Sequence, residues 1–196
     1  MPKRLFDILL SAVGLVLASP VLLLAAVAVK LSSPGPVLFR QQRMGKNFVP
    51  FWILKFRTMI VDAPNRGAQI TAGADPRITR IGGALRKTKL DELPQLWNVL
   101  RGDMSFVGPR PEVPRYVEMF ADDYRTVLSV RPGITDPASL KFRHESEILG
   151  QADDPEAEYV QRILPEKIAL AKEYIAQASL LSDLRLLVQT CWRVLR

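Results

Sequence analysis

The sequence predicts an α+β fold, mainly helical, with an apolar N-terminal helix, a compact domain carrying a small β-hairpin, and amphipathic helices. Three observations carry that prediction. No charged residue stands between Ile8 and Val29, which matches the ~20 residues a helix needs to cross a bilayer. Two short stretches rich in β-branched and aromatic residues flank Gly45-Lys46-Asn47. From Leu93 onward, apolar residues recur at helical spacing. The expected division is residues 1–31 as a membrane helix, 32–178 as the central domain and 179–196 as an amphipathic C-terminal helix.

Lys3 and Arg4 precede the apolar run and Lys30 follows it. Three readings compete. A secretory signal would use Lys3-Arg4, the apolar run and Ala26-Val27-Ala28 as a cleavage site. The run is long for that, and Asp7 sits at its start. A simple transmembrane helix would keep Lys3 and Arg4 inside the cell and place the rest of the chain outside. The third reading rests on Ser19-Pro20. Proline lacks a backbone donor and clashes with the preceding turn, so it kinks or breaks a helix. A helix broken there can enter one leaflet and return, leaving Lys3, Arg4 and Lys30 on one face. The freed backbone groups must then be satisfied internally, and the Ser19 hydroxyl is placed to help. The residues alone leave all three readings open.

The apolar run ends at the breaker cluster Ser32-Ser33-Pro34-Gly35-Pro36. Val37 to Arg43 and Phe48 to Phe56 read as strands of a hairpin turning at Gly45-Lys46-Asn47. Val61 to Asp75, rich in Ala, Gly, Asn and Asp, reads as a mobile loop, and Arg77 to Leu85 starts a helix or a tight connection. Leu93 to Leu100 is helical by its apolar spacing. Pro109, Pro111 and Pro114 stiffen the next connection. Val113 to Val130 reads as one helix containing Tyr116, Phe120 and Tyr124, stopped by Arg131-Pro132-Gly133. Pro155 to Ala178 reads as one or two helices interrupted near Pro165. In Ser179 to Arg196, the residues Leu180, Leu184, Leu187, Cys191 and Val194 fall near one stripe, with Trp192, Arg185, Arg193 and Arg196 beside it. That stripe either packs on the core or lies at a membrane interface, with Trp192 and the arginines as anchors.

Composition narrows the function classes. A formal net charge of +7 on 196 residues points to lipid headgroups, nucleotide phosphates or nucleic acid, unless it serves solubility alone. The single cysteine, Cys191, allows no internal disulfide and fits a reducing compartment. The single histidine, His144, argues against a histidine triad or a zinc site. Aromatic residues are too scattered for a base-stacking platform, so no nucleic-acid partner is expected.

The chemistry concentrates between Leu90 and Pro111. Asp91 and Glu92 stand at the start of the Leu93 helix, close to Pro94. Such a pair, taken alone, is ordinary helix capping. A helix N-terminus is also an anion and phosphate site, and it favours the charged form of an acid held there. An ionised carboxylate can attack phosphorus and form an acyl phosphate, while a second one acts as a base or shares a metal. A carboxylate together with substrate phosphates suits Mg2+. The cations that could clamp phosphates are Lys55, Arg57, Arg86, Arg110, Arg131 and Arg143. The guanidinium fork fits phosphate oxygens. Each cation alone reads as surface charge, but several adjoin Pro or Gly, and Gly108 to Pro111 places Arg110 on a rigid loop. Asp103 reads as a turn cap or as a carboxylate that orients an arginine, and His144 as non-catalytic.

These residues resemble the monotopic phosphoglycosyl transferases, bacterial polyprenyl-phosphate sugar-1-phosphate transferases. The resemblance runs through Lys3-Arg4-Leu5-Phe6-Asp7, Ser19-Pro20, Ser33 to Phe39, Lys55-Phe56-Arg57-Thr58-Met59, Leu90 to Leu96, Gly102 to Pro111 and Arg131-Pro132-Gly133-Ile134-Thr135. It implies a re-entrant membrane helix broken at Ser19-Pro20 and a domain half-sunk in the cytoplasmic leaflet of the bacterial inner membrane. It implies the minimal catalytic form, without a preceding transmembrane bundle. It further implies Asp91 as covalent nucleophile and Mg2+ ligand, Glu92 as its partner, and Lys55, Arg86, Arg110 and Arg143 as holders of phosphates or nucleotide. The implied donor is a nucleotide diphosphate sugar, such as a UDP-sugar, and the implied acceptor is polyprenyl (undecaprenyl) phosphate. A homodimer is compatible with all of this. The chain departs from the common pattern at Asp136-Pro137-Ala138-Ser139-Leu140, over Glu145 to Pro165, and near Ala171. The rival from another class is a non-catalytic membrane-surface protein that binds lipid phosphates or serves as a scaffold.

Overall fold

The computed structural model describes residues 2–63, 66 and 70–194, the side chain of Val194 excepted. Part of the loop expected over Val61 to Asp75, and Arg196 of the expected C-terminal stripe, lie outside the described residues.

The first helix, α1 (Pro2–Ser32), has 31 residues, a length of ~46 Å at 1.5 Å per residue. Among the described residues it is the one helix long and apolar enough to cross a membrane. Its helical backbone runs through Ser19-Pro20, so the break expected there is not a break in the helix. The reason is local. Pro20 has no N–H to give the Val16 carbonyl one turn earlier, and the Ser19 hydroxyl donates to that same oxygen at 2.7 Å. One stripe of α1, including Asp7, Ser11, Ala25 and Val29, is buried against the rest of the chain. The opposite face leaves Leu9, Val16, Leu17, Leu23 and Leu24 exposed.

After the Ser33-to-Pro36 breaker comes the antiparallel hairpin of β1 (Leu38–Met44) and β2 (Pro50–Phe56). Its turn passes through Asn47 and Phe48, both with positive φ. The helix expected from Arg77 begins at α2 (Arg80–Lys87), where the Thr79 hydroxyl caps the Gly82 N–H at 2.9 Å. A single 3-10 turn, Leu90–Glu92, leads into α3 (Gln95–Arg101). Gly102, at φ 99°, ends α3 in the left-handed conformation that glycine adopts without penalty.

Two three-residue strands, β3 (Ser105–Val107) and β4 (Gly133–Thr135), then pair in parallel. The sequence offered no sign of this pair. A Cβ on Gly133 would sit 2.1 Å from the Gly108 nitrogen, so the two backbones can touch only because neither position carries a side chain. Between them, the helix expected over Val113 to Val130 is two helices, α4 (Pro114–Met119) and α5 (Ala121–Val127). Phe120 takes φ −125°, ψ 38° and turns α5 toward the later helices. Tyr124, Val127 and Leu128 thereby join Tyr116 and Val117 in one core.

The remainder is helical: α6 (Pro137–Lys141), α7 (Glu145–Gly150), α8 (Pro155–Glu158), a π turn over Tyr159–Ile163, α9 (Leu164–Gln177) and α10 (Leu180–Val194). Pro165 follows the π turn inside a continuous helical run, so the interruption expected near it is a local widening of the helix and not a break. In α10 the expected stripe is divided: Leu180, Leu184 and Cys191 are exposed, Leu187 is half-buried, and the Val194 side chain lies outside the described residues. Leu180, Leu181, Leu184, Val188 and Trp192 are exposed, while Asp183 is buried.

Asp183 belongs to a node that ties both ends of the described chain together. Lys3 Nζ donates to Asp183 Oδ2 at 2.6 Å, to the Val107 carbonyl at 2.8 Å and to the Tyr174 hydroxyl at 3.0 Å. Tyr174 in turn donates to Asp183 Oδ1 at 2.6 Å. Arg4 donates to the Val99 and Leu100 carbonyls, and Asp7 accepts from the Ser105 hydroxyl and the Phe106 N–H. At the other end of α1, Ala25 and Val29 pack with Phe56 and Leu85. Both halves of α1 are therefore seated on the same body.

Candidate active site

Three elements converge on one cleft because Asn98 bolts two of them together. Its side-chain oxygen accepts from the Leu54 N–H at 3.0 Å, and its amide donates to the Trp52 carbonyl at 2.8 Å. This fixes α3 against β2, and so fixes the Leu90–Glu92 turn beside Lys55 at the end of β2. The β3–α4 loop contributes Arg110 from the far side.

Glu92 is the hub. Lys55 Nζ donates to its Oε1 at 2.9 Å, and Arg110 donates to the same oxygen and to Oε2 at 3.3 Å. Burial opposes a charge on Glu92, but Arg110 and Lys55 outweigh it and hold the carboxyl well below the usual range. Arg110 is correspondingly raised, chiefly by Glu92. Lys55 is lowered because burial outweighs Glu92's support, and Arg110 and Arg43 add repulsion.

Asp91 is the opposite case. It is 7% exposed, and its Oδ1 is buried without a hydrogen-bond partner. It therefore does not cap α3. Burial and then the neighbouring Glu92 push its carboxyl up, against the pull of Lys55, Arg86 and Lys89. The expectation that a helix terminus would favour its charge is corrected here: Asp91 sits in a 3-10 turn with one oxygen facing no N–H. An orphaned buried oxygen of this kind suits a single carboxylate ligand to Mg2+, whose remaining positions go to water and substrate phosphates. No group of three or more His, Cys, Asp and Glu side chains gathers among the described residues, so Asp91 is the carboxylate that fits that role.

The other expected cations divide. Arg86 lines the cleft and donates to Thr58 Oγ1 at 2.8 Å and Thr71 Oγ1 at 3.3 Å. Its pKa is lowered by burial, partly offset by Asp91. Arg143 stands exposed on the cleft wall after α6. Arg57 reaches the same cleft, but its guanidinium donates to the Ser33 carbonyl at 2.8 Å and to that of Pro34. It holds the breaker segment after α1. Arg131 is exposed, binds the Gly102 carbonyl at 2.8 Å and is not among the cleft residues. The site therefore gathers Asp91, Glu92, Lys55, Arg86, Arg110 and Arg143, and places Arg131 outside.

The cleft encloses about 1640 Å³, more than the ~300–1,000 Å³ of a pocket for one small molecule. Sequence reasoning missed three contributors. Lys89 lines the cleft at φ 58°, a conformation that costs a non-glycine residue energy and recurs at functional sites. Nothing in its neighbours announced it. Arg43 and Glu112 form a strut at 3.0 Å, extended by the Tyr159 hydroxyl at 2.5 Å, behind the Arg110 loop. Asp136 was legible only as a departure. Followed by Pro137, it has the form of a helix N-cap and first turn, which is what the structure contains.

A membrane-length helix seated on a body with a large cationic cleft, and a buried carboxylate left free inside it, are the parts of a phosphotransferase. Comparison with known proteins makes the class definite. The family profile described as bacterial sugar transferase matches residues 1–196, and the chain belongs to that family. A Caulobacter vibrioides protein named UDP-glucose:undecaprenyl-phosphate glucose-1-phosphate transferase is 42% identical over 193 residues, covering 96% of this chain and 67% of the relative. An Aeromonas hydrophila UDP-N-acetylgalactosamine-undecaprenyl-phosphate N-acetylgalactosaminephosphotransferase is 47% identical over 138 residues, 68% of this chain and 32% of the relative. A Rhizobium leguminosarum bv. phaseoli protein named exopolysaccharide production protein PSS is 39% identical over 195 residues, 96% of this chain and 92% of the relative. The chain thus spans about a third of one relative, two thirds of another and nearly all of the third.

Proposed function

We propose that this protein transfers a sugar 1-phosphate from a UDP-sugar to undecaprenyl phosphate, through a phosphosugar carried covalently on Asp91. The observation that carries this reading is the Asp91 carboxylate oxygen, buried and unpartnered beside a carboxylate that two cations hold. An acid tied up by hydrogen bonds is a poor nucleophile. A free one, desolvated and raised in pKa, is reactive once ionised.

In the first half-reaction the Asp91 carboxylate attacks the sugar-bearing phosphorus. The P–O bond to the nucleoside monophosphate breaks, UMP leaves, and a mixed anhydride joins the sugar phosphate to Asp91. In the second, a phosphate oxygen of undecaprenyl phosphate attacks the same phosphorus and Asp91 leaves as carboxylate. The product is undecaprenyl diphosphate sugar. Glu92, saturated by Lys55 and Arg110, orients those cations toward the phosphates instead of moving protons. Arg86 and Arg143 flank the diphosphate. Asp91 is the residue that would hold a Mg2+ here, and the ion would supply positive charge to the donor diphosphate. Most of the rate enhancement is electrostatic.

The lipid substrate calls for a membrane seat, and the seating of α1 supports one on the cytoplasmic face. Lys3 and Arg4 bind residues of the same body that packs Ala25 and Val29. A straight span with that body on one side would carry Lys3 and Arg4 to the opposite surface. A monotopic placement, with both ends of α1 on one membrane face, fits the contacts instead, and the outward apolar face of α10 lies at the interface.

The test is donor turnover without acceptor. Wild type, given Mg2+ and a panel of UDP-sugars, releases about one UMP per enzyme and retains the sugar phosphate on a peptide containing Asp91. Asp91→Asn releases none. Near-normal release by that variant would show that another group is the nucleophile.

A further inference from the structure

Arg110 is gripped at a corner that the mechanism above does not use. Gly108 N–H donates to the Thr135 carbonyl at 3.1 Å, and Gly133 N–H donates to the Pro109 carbonyl at 3.0 Å. The Arg110 guanidinium donates to the Ile134 carbonyl at 3.4 Å. The last rung is a side chain: Asp136 Oδ2 accepts the Arg110 backbone N–H at 3.1 Å. Its other oxygen, Oδ1, accepts the Ser139 N–H at 2.7 Å and so caps α6. Asp136 is 2% exposed.

We infer that Asp136 is a positioning residue for phosphoryl transfer: its buried carboxylate fixes the backbone under Arg110 and joins that arginine to the cleft wall carrying Arg143. The inference rests on the proposed role of Arg110 as a phosphate clamp. Capping α6 alone needs no acid, since serine and asparagine cap as well. A buried carboxylate is costly to desolvate. What it offers here is two acceptor oxygens, each aimed at an N–H on a different element. Arg110 comes from the β3–α4 loop and Ser139 from α6, whose C-terminal end leads directly to Phe142 and Arg143. One side chain therefore sets the spacing between two cations across the cleft. Electrostatic catalysis depends on such spacing being fixed before the substrate arrives.

The experiment is a mutant cycle on UMP release with undecaprenyl phosphate present, using any UDP-sugar that wild type turns over. The variants are Asp136→Asn, Asp136→Ser, Arg110→Ala and the two doubles. Asparagine keeps the volume but has one acceptor oxygen, so one of the two bonds is lost. Serine keeps the α6 cap and is too short to reach Arg110 as well, and it carries the test should Asp136→Asn not fold. Melting temperatures are recorded for all. The expected result is a fall in kcat of ~10–100-fold, as for a small misplacement of a catalytic group, with the donor KM within about threefold of wild type. In the Arg110→Ala background the same change lowers kcat by less than about twofold, because its effect runs through Arg110. Equal losses in both backgrounds, wild-type kcat in the folded single variants, or a change in KM alone would each overturn the inference while leaving the function intact. A wild-type protein that releases no UMP from any UDP-sugar overturns the functional reading, and this inference with it.

Discussion

Asp91 and Glu92 are adjacent, and their environments drive them in opposite directions. Burial raises the Asp91 carboxyl above its ordinary 3.8, so the folded state holds its proton more tightly than the unfolded chain does. The stability Asp91 contributes is full below that ordinary value and is lost as pH rises through the raised one. Above that raised value the ionised Asp91 carboxylate is less favourable in the fold than in the unfolded chain. Asp91→Asn is expected to melt higher at pH 7, by about 2–4 °C for each ~1 kcal/mol gained, while losing all UMP release. The acid limb of the wild-type kcat/KM profile, which reports the free enzyme, should lie above the ordinary aspartate value, because the proposed attack needs the ionised form. Glu92 shows the reverse: its depressed pKa contributes stability above 4.5 that is lost as pH falls through the lower folded value. Glu92→Gln strands Lys55 and Arg110. Denaturant unfolding should show a loss of about 3 kcal/mol, the low end for breaking a buried ion pair, because Arg110 keeps some contact with water.

Among the elements, α10 shows how far sequence reading reaches. Its apolar stripe was legible from spacing, and two partners fitted it equally well. What decides the facing is Asp183, which turns inward to Lys3 and Tyr174. No local rule pairs residues so distant. Val188→Glu, on the outward face, should weaken flotation of the protein with anionic vesicles by at least about tenfold, as expected when a charge replaces an inserted apolar group, with its melting temperature in detergent unchanged. The hairpin and α3 were read nearly to their ends because each carries its own periodicity and its own breaker. The β3–β4 pair escaped because three-residue strands have no period to detect. Phe120 divided a helix whose apolar spacing was continuous, so the division answers to packing on α9 and not to local propensity. In the site, Lys55, Asp91, Glu92 and Arg110 each lay in a local cluster that spacing could flag. Arg57 lies one residue past the end of β2, where strand alternation no longer says which way a side chain points. Arg131 followed the same Gly-Pro logic as Arg110 yet ended on a carbonyl outside the cleft.

For the whole molecule, the seating of α1 gives a topological prediction. In sealed inside-out vesicles, an impermeant thiol reagent should label Cys191, which is exposed, and a protease should remove an N-terminal epitope from the same side. Labelling from opposite sides would indicate a straight span. The node of Lys3, Tyr174 and Asp183 closes over a separation of 180 positions. At the ~5–20 residues per second of synthesis, Asp183 is made ~9–36 s after Lys3. Through that interval the Lys3 ammonium has no Asp183 carboxylate to meet. The clasp between α1 and α10 can therefore form only after the intervening residues have been made, so α1 docks through Lys3 late in synthesis.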